Sequence, residues 1–143
     1  MDNISIFESR PGKVTCSAKD LFKFVTDIRN FERFIQHGTF TNWQAEKESC
    51  SFRVSMVGNV SFGLTEKVKF SKVVFNGDAL KKNDFSLILN ISGNDNDPAE
   101  VKVSLNAELN PMLKLVAAKP IVRFLEILIN EMENFRGWQE TKE

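Results

Sequence analysis

The chain has 143 residues, near the commonest length of a single domain, and folding at that length buries roughly two-thirds of the unfolded surface. Lys and Arg total 19 and Asp and Glu total 19, a zero balance that lacks the broad basic footprint of a nucleic-acid binder. With one histidine and no CxxC pair there is little from which to build a metal site, and the two distant cysteines, Cys16 and Cys50, read as buried thiols of a reducing compartment.

Met1-Asp2-Asn3 opens the chain without the basic and apolar regions of a signal peptide, so a cytoplasmic location is expected. Ile4, Ile6 and Val14 lie in extended-type sequence around Pro11-Gly12, which predicts one long, interrupted strand over residues 3–16. Ser17-Ala18-Lys19-Asp20 is a helix start, with Ser17 as cap and Asp20 at the capping-box position. Leu21, Phe22, Val25 and Ile28 recur at helical spacing; Asp27 and Asn30 interrupt them, and Phe31, Phe34 and Ile35 begin a second stripe. Two short helices in succession fit this better than one rod.

From residue 42 the period changes to two. Trp43 and Ala45 form a short run, and Cys50, Phe52, Val54 and Met56 alternate with Ser51, Arg53 and Ser55 as a half-buried strand. Gly58-Asn59 is a turn signal. Phe62, Leu64, Glu66, Val68 and Phe70 share one parity, Val73 to Phe75 follow, and Asn76-Gly77-Asp78 marks a stop. Phe85, Leu87, Leu89 and Ile91 form the next apolar face, and 93–98 reads as a loop. Val101, Val103, Leu105, Ala107 and Leu109 make the cleanest alternation in the chain. No helical pattern separates these strands, which excludes a parallel βαβ sheet as the main architecture and predicts an antiparallel meander.

Asn110-Pro111 supplies an N-cap and a proline at the first helical position. Val116, Ala117, Ile121, Phe124, Leu128, Met132 and Phe135 fall on one side, and Lys119, Arg123, Glu126, Asn130 and Glu133 on the other. A helix of about 26 residues, roughly 40 Å long, is expected to kink at Pro120 and to end near Gly137. Lys114, Lys119, Arg123 and Glu126 break its apolar run too often for a membrane span. A helix that long needs a long apolar groove, which a strongly curved sheet supplies.

Val25-Thr26-Asp27-Ile28-Arg29-Asn30-Phe31-Glu32-Arg33-Phe34, Trp43 opening a strand, and Ala107-Glu108-Leu109-Asn110-Pro111 running into the last helix are the local matches to a known family. With the order strand, two helices, six strands and long helix, the whole chain resembles the START-like superfamily, which includes the birch pollen allergens and the polyketide cyclases among SRPBCC proteins. The resemblance implies one helix-grip domain over residues 1–143, of class α+β, with a curved antiparallel sheet of about seven strands wrapped on the C-terminal helix. It also implies a cavity between sheet and helix, often holding a lipid, sterol, polyketide or other apolar ligand. It implies no shared catalytic set.

The residues themselves leave three readings. The first is binding of a small hydrophobic ligand (lipid, isoprenoid or polyketide-like). Phe52, Val54, Leu87, Leu89, Val103, Leu105, Phe124 and Leu128 would line the space, and Glu66 would give a polar point of contact. The same apolar pattern equally describes a filled core rich in its 13 Phe side chains. The second is a protein-interaction module. The third is an enzyme of cyclase or dehydratase type with His37 or Glu66 as acid or base. Against this stand a solvated loop for His37 and, for Glu66, a bulge near Gly58 and Gly63 that turns it outward or a salt bridge at the sheet's end. Asp95 and Asp97, with Asn94 and Asn96, lack the glycine and glutamate of a calcium loop and read as a plain turn. No nucleophile, Walker or dinucleotide motif occurs, and no cofactor is implied. Ligand identity, partners and oligomeric state stay open.

Overall fold

The computed structural model describes residues 4–35, 40–54, 58–79, 83–93 and 98–138. Strands β1 (Ile4–Glu8) and β2 (Gly12–Lys13) lead into helix α1 (Ala18–Val25), a 3-10 turn (Ile28–Phe31) and the short helix α2 (Glu32–Ile35). Six strands follow: β3 (Phe40–Ala45), β4 (Ser49–Val54), β5 (Gly58–Val68), β6 (Lys72–Ala79), β7 (Asn83–Ser92) and β8 (Glu100–Glu108). Helix α3 (Pro111–Asn134) closes the order. All strands join one curved antiparallel sheet in the order β1-β8-β7-β6-β5-β4-β3, with β2 also on β8. The class is α+β.

The predicted strand over 3–16 is two strands, which brings the sheet from the expected seven or so to eight. Proline lacks an amide hydrogen, so the pairing breaks before Pro11. Ser9 bridges the gap: its backbone N–H donates to the Val103 carbonyl at 2.8 Å, and its hydroxyl accepts from the Val103 N–H at 2.9 Å. At Gly12 the helix α3 crosses so closely that a Cβ would lie 2.7 Å from an Ile129 side-chain carbon.

The Asp27–Asn30 segment builds the corner between α1 and α2. Ser17 caps α1 by accepting from the Asp20 N–H. Asp27 Oδ1 accepts from the Arg29 N–H at 3.1 Å, and its carboxylate pairs with the Arg29 guanidinium at 2.6 Å. Asn30, fully buried, donates its amide to the Phe24 carbonyl at 2.8 Å, closing the end of α1.

Two sequence signals are read differently by the fold. Gly58-Asn59 is not a turn but the start of β5, paired with Val54 and Arg53. Asn76-Gly77-Asp78 is not a stop: β6 runs through it, and Gly77 pairs with Phe62. The strand ends later, at Ala79, and β7 begins at Asn83. The reversal before it, between β5 and β6, carries no glycine or proline: the Ser71 N–H donates to the Val68 carbonyl at 3.0 Å and Phe70 takes φ 67°. Met56 lies outside the described residues.

Strand β3 carries a register shift between Thr41 and Gln44, with Asn42 at φ 58°. Helix α3 begins at the expected cap, Asn110 Oδ1 accepting from the Leu113 N–H at 2.9 Å. It ends at Asn134 rather than near Gly137, because Phe135 turns extended (φ −74°, ψ 142°). Its 24 residues run on through Pro120, whose missing N–H leaves the Val116 carbonyl without that intrahelical donor.

Candidate functional site

The space between sheet and α3 is divided into a filled half and an open half. At the filled half, rings from α1, α2 and the segment after α3 interlock: Phe24, Phe34, Phe135 and Trp138 have centroids 4.8 to 5.8 Å apart. Here Leu125, Leu128, Ile129 and Met132 of α3 are buried. Outside that half-helix, Glu133 accepts from Arg10 at 2.6 Å and from the Lys13 N–H at 2.9 Å, clamping it to the N-terminal strands.

At the open half lies a cavity of about 70 Å³. Phe52 and Val54 of β4 and Val60 and Phe62 of β5 form one wall. Phe85 and Leu87 of β7, Leu105 and Ala107 of β8, and Leu109 form the next. Register explains why these meet: Phe52 faces Val60, Phe85 faces Ala107 and Leu87 faces Leu105, and opposed residues share a sheet face. Ala117, Pro120, Ile121 and Phe124 of α3 form the roof. Phe124 stacks over Phe52 with centroids 6.5 Å apart. Every lining side chain is apolar, so a water inside would find almost no partner.

Of the residues singled out in the sequence, Phe52, Val54, Leu87, Leu105 and Phe124 line this cavity. Leu89, Val103 and Leu128 are fully buried but pack away from it. Glu66 faces outward, contrary to its parity. The register of β5 on β6 shifts between Leu64 and Glu66, so Leu64 opposes Phe75 while Glu66 opposes Val74, on the other face. The bulge at Thr65 thus moves Glu66 off the apolar side and leaves it exposed. Val116, expected on the inner side of α3, is 52% exposed. His37, Asp95 and Asp97 lie outside the described residues.

Val60, Phe62, Phe85, Ala107, Leu109, Ala117, Pro120 and Ile121 line the cavity without having been singled out. Phe62, Phe85, Ala107, Leu109, Ala117 and Ile121 carried a signal, since they fall on the apolar sides already read. Val60 was hidden by the turn-like Gly58-Asn59 beside it. Burial pushes the Cys16 and Cys50 thiols up to about 12, which makes both poor nucleophiles. Among the described residues no group of His, Cys, Asp or Glu is arranged to hold a metal ion, and no helix is long and apolar enough to cross a membrane.

The architecture has solved counterparts. Norcoclaurine synthase from Thalictrum flavum, in complex with dopamine and hydroxybenzaldehyde, matches with a TM-score of 0.72 over 97% of this chain and 90% of that one, at 9% identity. A START superfamily protein from Mycobacterium smegmatis matches with a TM-score of 0.60 over 90% of this chain and 97% of that one, at 13% identity. The fold is the START-like helix grip. A Staphylococcus aureus protein of unknown function shares the helix grip with a TM-score of 0.66, 93% of each chain covered and 10% identity. At such identities the likeness carries architecture and transfers no residue's role. No protein-family model and no curated protein matches the sequence.

Proposed function

We propose that this helix-grip protein binds a small apolar molecule beneath the N-terminal half of α3. The observation that carries the reading is a dry cavity roofed by a loosely seated half-helix. From Pro111 to Phe124 only Ala117 is buried, whereas four side chains are buried between Leu125 and Met132. The present volume, about 70 Å³, is less than half of the roughly 150 Å³ that accommodates benzene in an engineered protein cavity. Binding therefore requires the roof to lift or Phe124 to swing. A roof held by few buried contacts is the element that opens at least cost. An apolar wall selects its guest by shape and excluded water, and rejects charge. The Thalictrum enzyme was solved with two small aromatic molecules, so small aromatics join fatty acids and isoprenoids as guest classes to test.

The test is native mass spectrometry of protein purified without denaturation, followed by displacement of an environment-sensitive dye by a medium-chain fatty acid and by hydroxybenzaldehyde. Saturable one-to-one binding is expected. Ala117→Leu, which fills the roof, is expected to weaken it by roughly tenfold or more while raising folding stability by about 1 kcal/mol. Absence of any saturable guest, or unchanged binding in Ala117→Leu, would overturn the reading.

A further inference from the structure

The outer side of the same half-helix has an unusual composition. Met112, Leu115, Val116 and Val122 are 76%, 85%, 52% and 45% exposed. At 3.6 residues per turn they fall within an arc of about 120°, centred opposite the cavity roof. Lys119 and Arg123, both exposed, lie inside that arc, whereas Lys114 projects on the other side of the helix, near the direction of Ile121. No acidic residue occurs between Pro111 and Leu125; the next residue, the exposed Glu126, lies on the same outer arc one turn beyond Val122. A chain with zero net charge thus places two cations and four bare apolar side chains on one face of a helical stretch roughly 17 Å long.

We infer that this stripe docks the protein on an anionic membrane surface, with the helix lying in the interface plane. Met, Leu and Val would enter the boundary between headgroups and acyl chains, and the cations would meet lipid phosphates. The shape of the stripe favours a bilayer over another protein. The apolar groups stand on a convex ridge with long flexible cations, and a fluid surface conforms to a ridge, whereas a protein partner needs matching shape at the interface core. The docking side is opposite the roof residues Ala117, Ile121 and Phe124, so it stands whether or not a guest occupies the cavity.

The experiment is co-sedimentation of the full chain with phospholipid vesicles, either phosphatidylcholine alone or with about one-third phosphatidylglycerol. Binding is expected on the anionic vesicles, lower by roughly tenfold or more on the neutral ones, and lost at about 0.5 M salt. Leu115→Glu and a combined Lys119→Glu/Arg123→Glu variant should each reduce it by roughly tenfold or more. Both alter exposed positions, and circular dichroism checks that they fold. Ile6→Glu changes an equally bare apolar residue on the sheet (65% exposed) and should bind as the parent does. No sedimentation with anionic vesicles would overturn the proposal. So would binding indifferent to Leu115→Glu, or a dimer in light scattering that Leu115→Glu dissociates.

Discussion

A single methyl group at position 77 would stand 1.9 Å from the Ser61 carbonyl oxygen and 2.6 Å from Phe62. Backbone cannot yield by that much without splaying β5 from β6. Gly77→Ala is therefore expected to destabilise by about 2–3 kcal/mol, read as a lowered urea midpoint. The thiols give a second check. With both raised to about 12 by burial, Cys16 and Cys50 should react with a thiol reagent at about pH 8 at less than roughly one-tenth the rate of free cysteine until the chain is unfolded. Asp27 gives the third. Its carboxyl sits below the ordinary value, chiefly through the Arg29 side-chain hydrogen bond, with burial opposing. A depressed carboxyl contributes stability above its unfolded value near 4, and that contribution is lost as pH falls through the lower folded value. Urea midpoints between about pH 5 and pH 2 should fall more steeply for the parent than for Asp27→Asn, which keeps an oxygen for the Arg29 N–H but no charge.

Helix α3 is one element with two mechanical halves. Its C-terminal half is packed on the aromatic cluster and clamped through Glu133, and its N-terminal half rests on Ala117 and partly buried neighbours. Hydrogen exchange should report this directly, with amides of residues 115–123 exchanging roughly tenfold or more faster than those of 127–132. Pro120→Ala restores a donor for the Val116 carbonyl and should slow the faster set while leaving the slower one alone. The outline of this helix was legible in sequence, because Asn110-Pro111 and the inner stripe from Ala117 to Met132 obey helical spacing. The side occupied by Val116 was not. An apolar residue at the margin of a stripe goes in or out according to how far the sheet reaches beneath it.

Across the whole molecule, order of elements and sheet direction could be read because each strand keeps its own alternation, most plainly from Val101 to Leu109. The errors share a cause: tertiary contacts overrode local signals. Phe70 accepts a left-handed conformation at the reversal between β5 and β6, where its ring packs edge-on against Phe22 at 5.5 Å. The glycine of Asn76-Gly77-Asp78 serves close strand approach rather than a turn. The Thr65 bulge reverses Glu66 without any proline or glycine at that position. Whether a Phe-rich interior is filled or hollow also depends on distances no pattern encodes; here one end is filled by Phe24, Phe34, Phe135 and Trp138 and the other is not. A guest at the hollow end should stabilise the entire fold by about 2.7 kcal/mol at a concentration of 100 times its Kd, seen as a concentration-dependent rise in Tm.

Strand β3, at one of the two borders of the sheet, has a further consequence. A straight border strand offers a row of open amides and carbonyls to any other chain, and fibrils grow by such zipping. The left-handed Asn42 and the slipped register from Thr41 to Gln44 break that row in the middle. A molecule whose sheet ends on this border while holding a greasy interior is thereby denied to its neighbours as a template along β3.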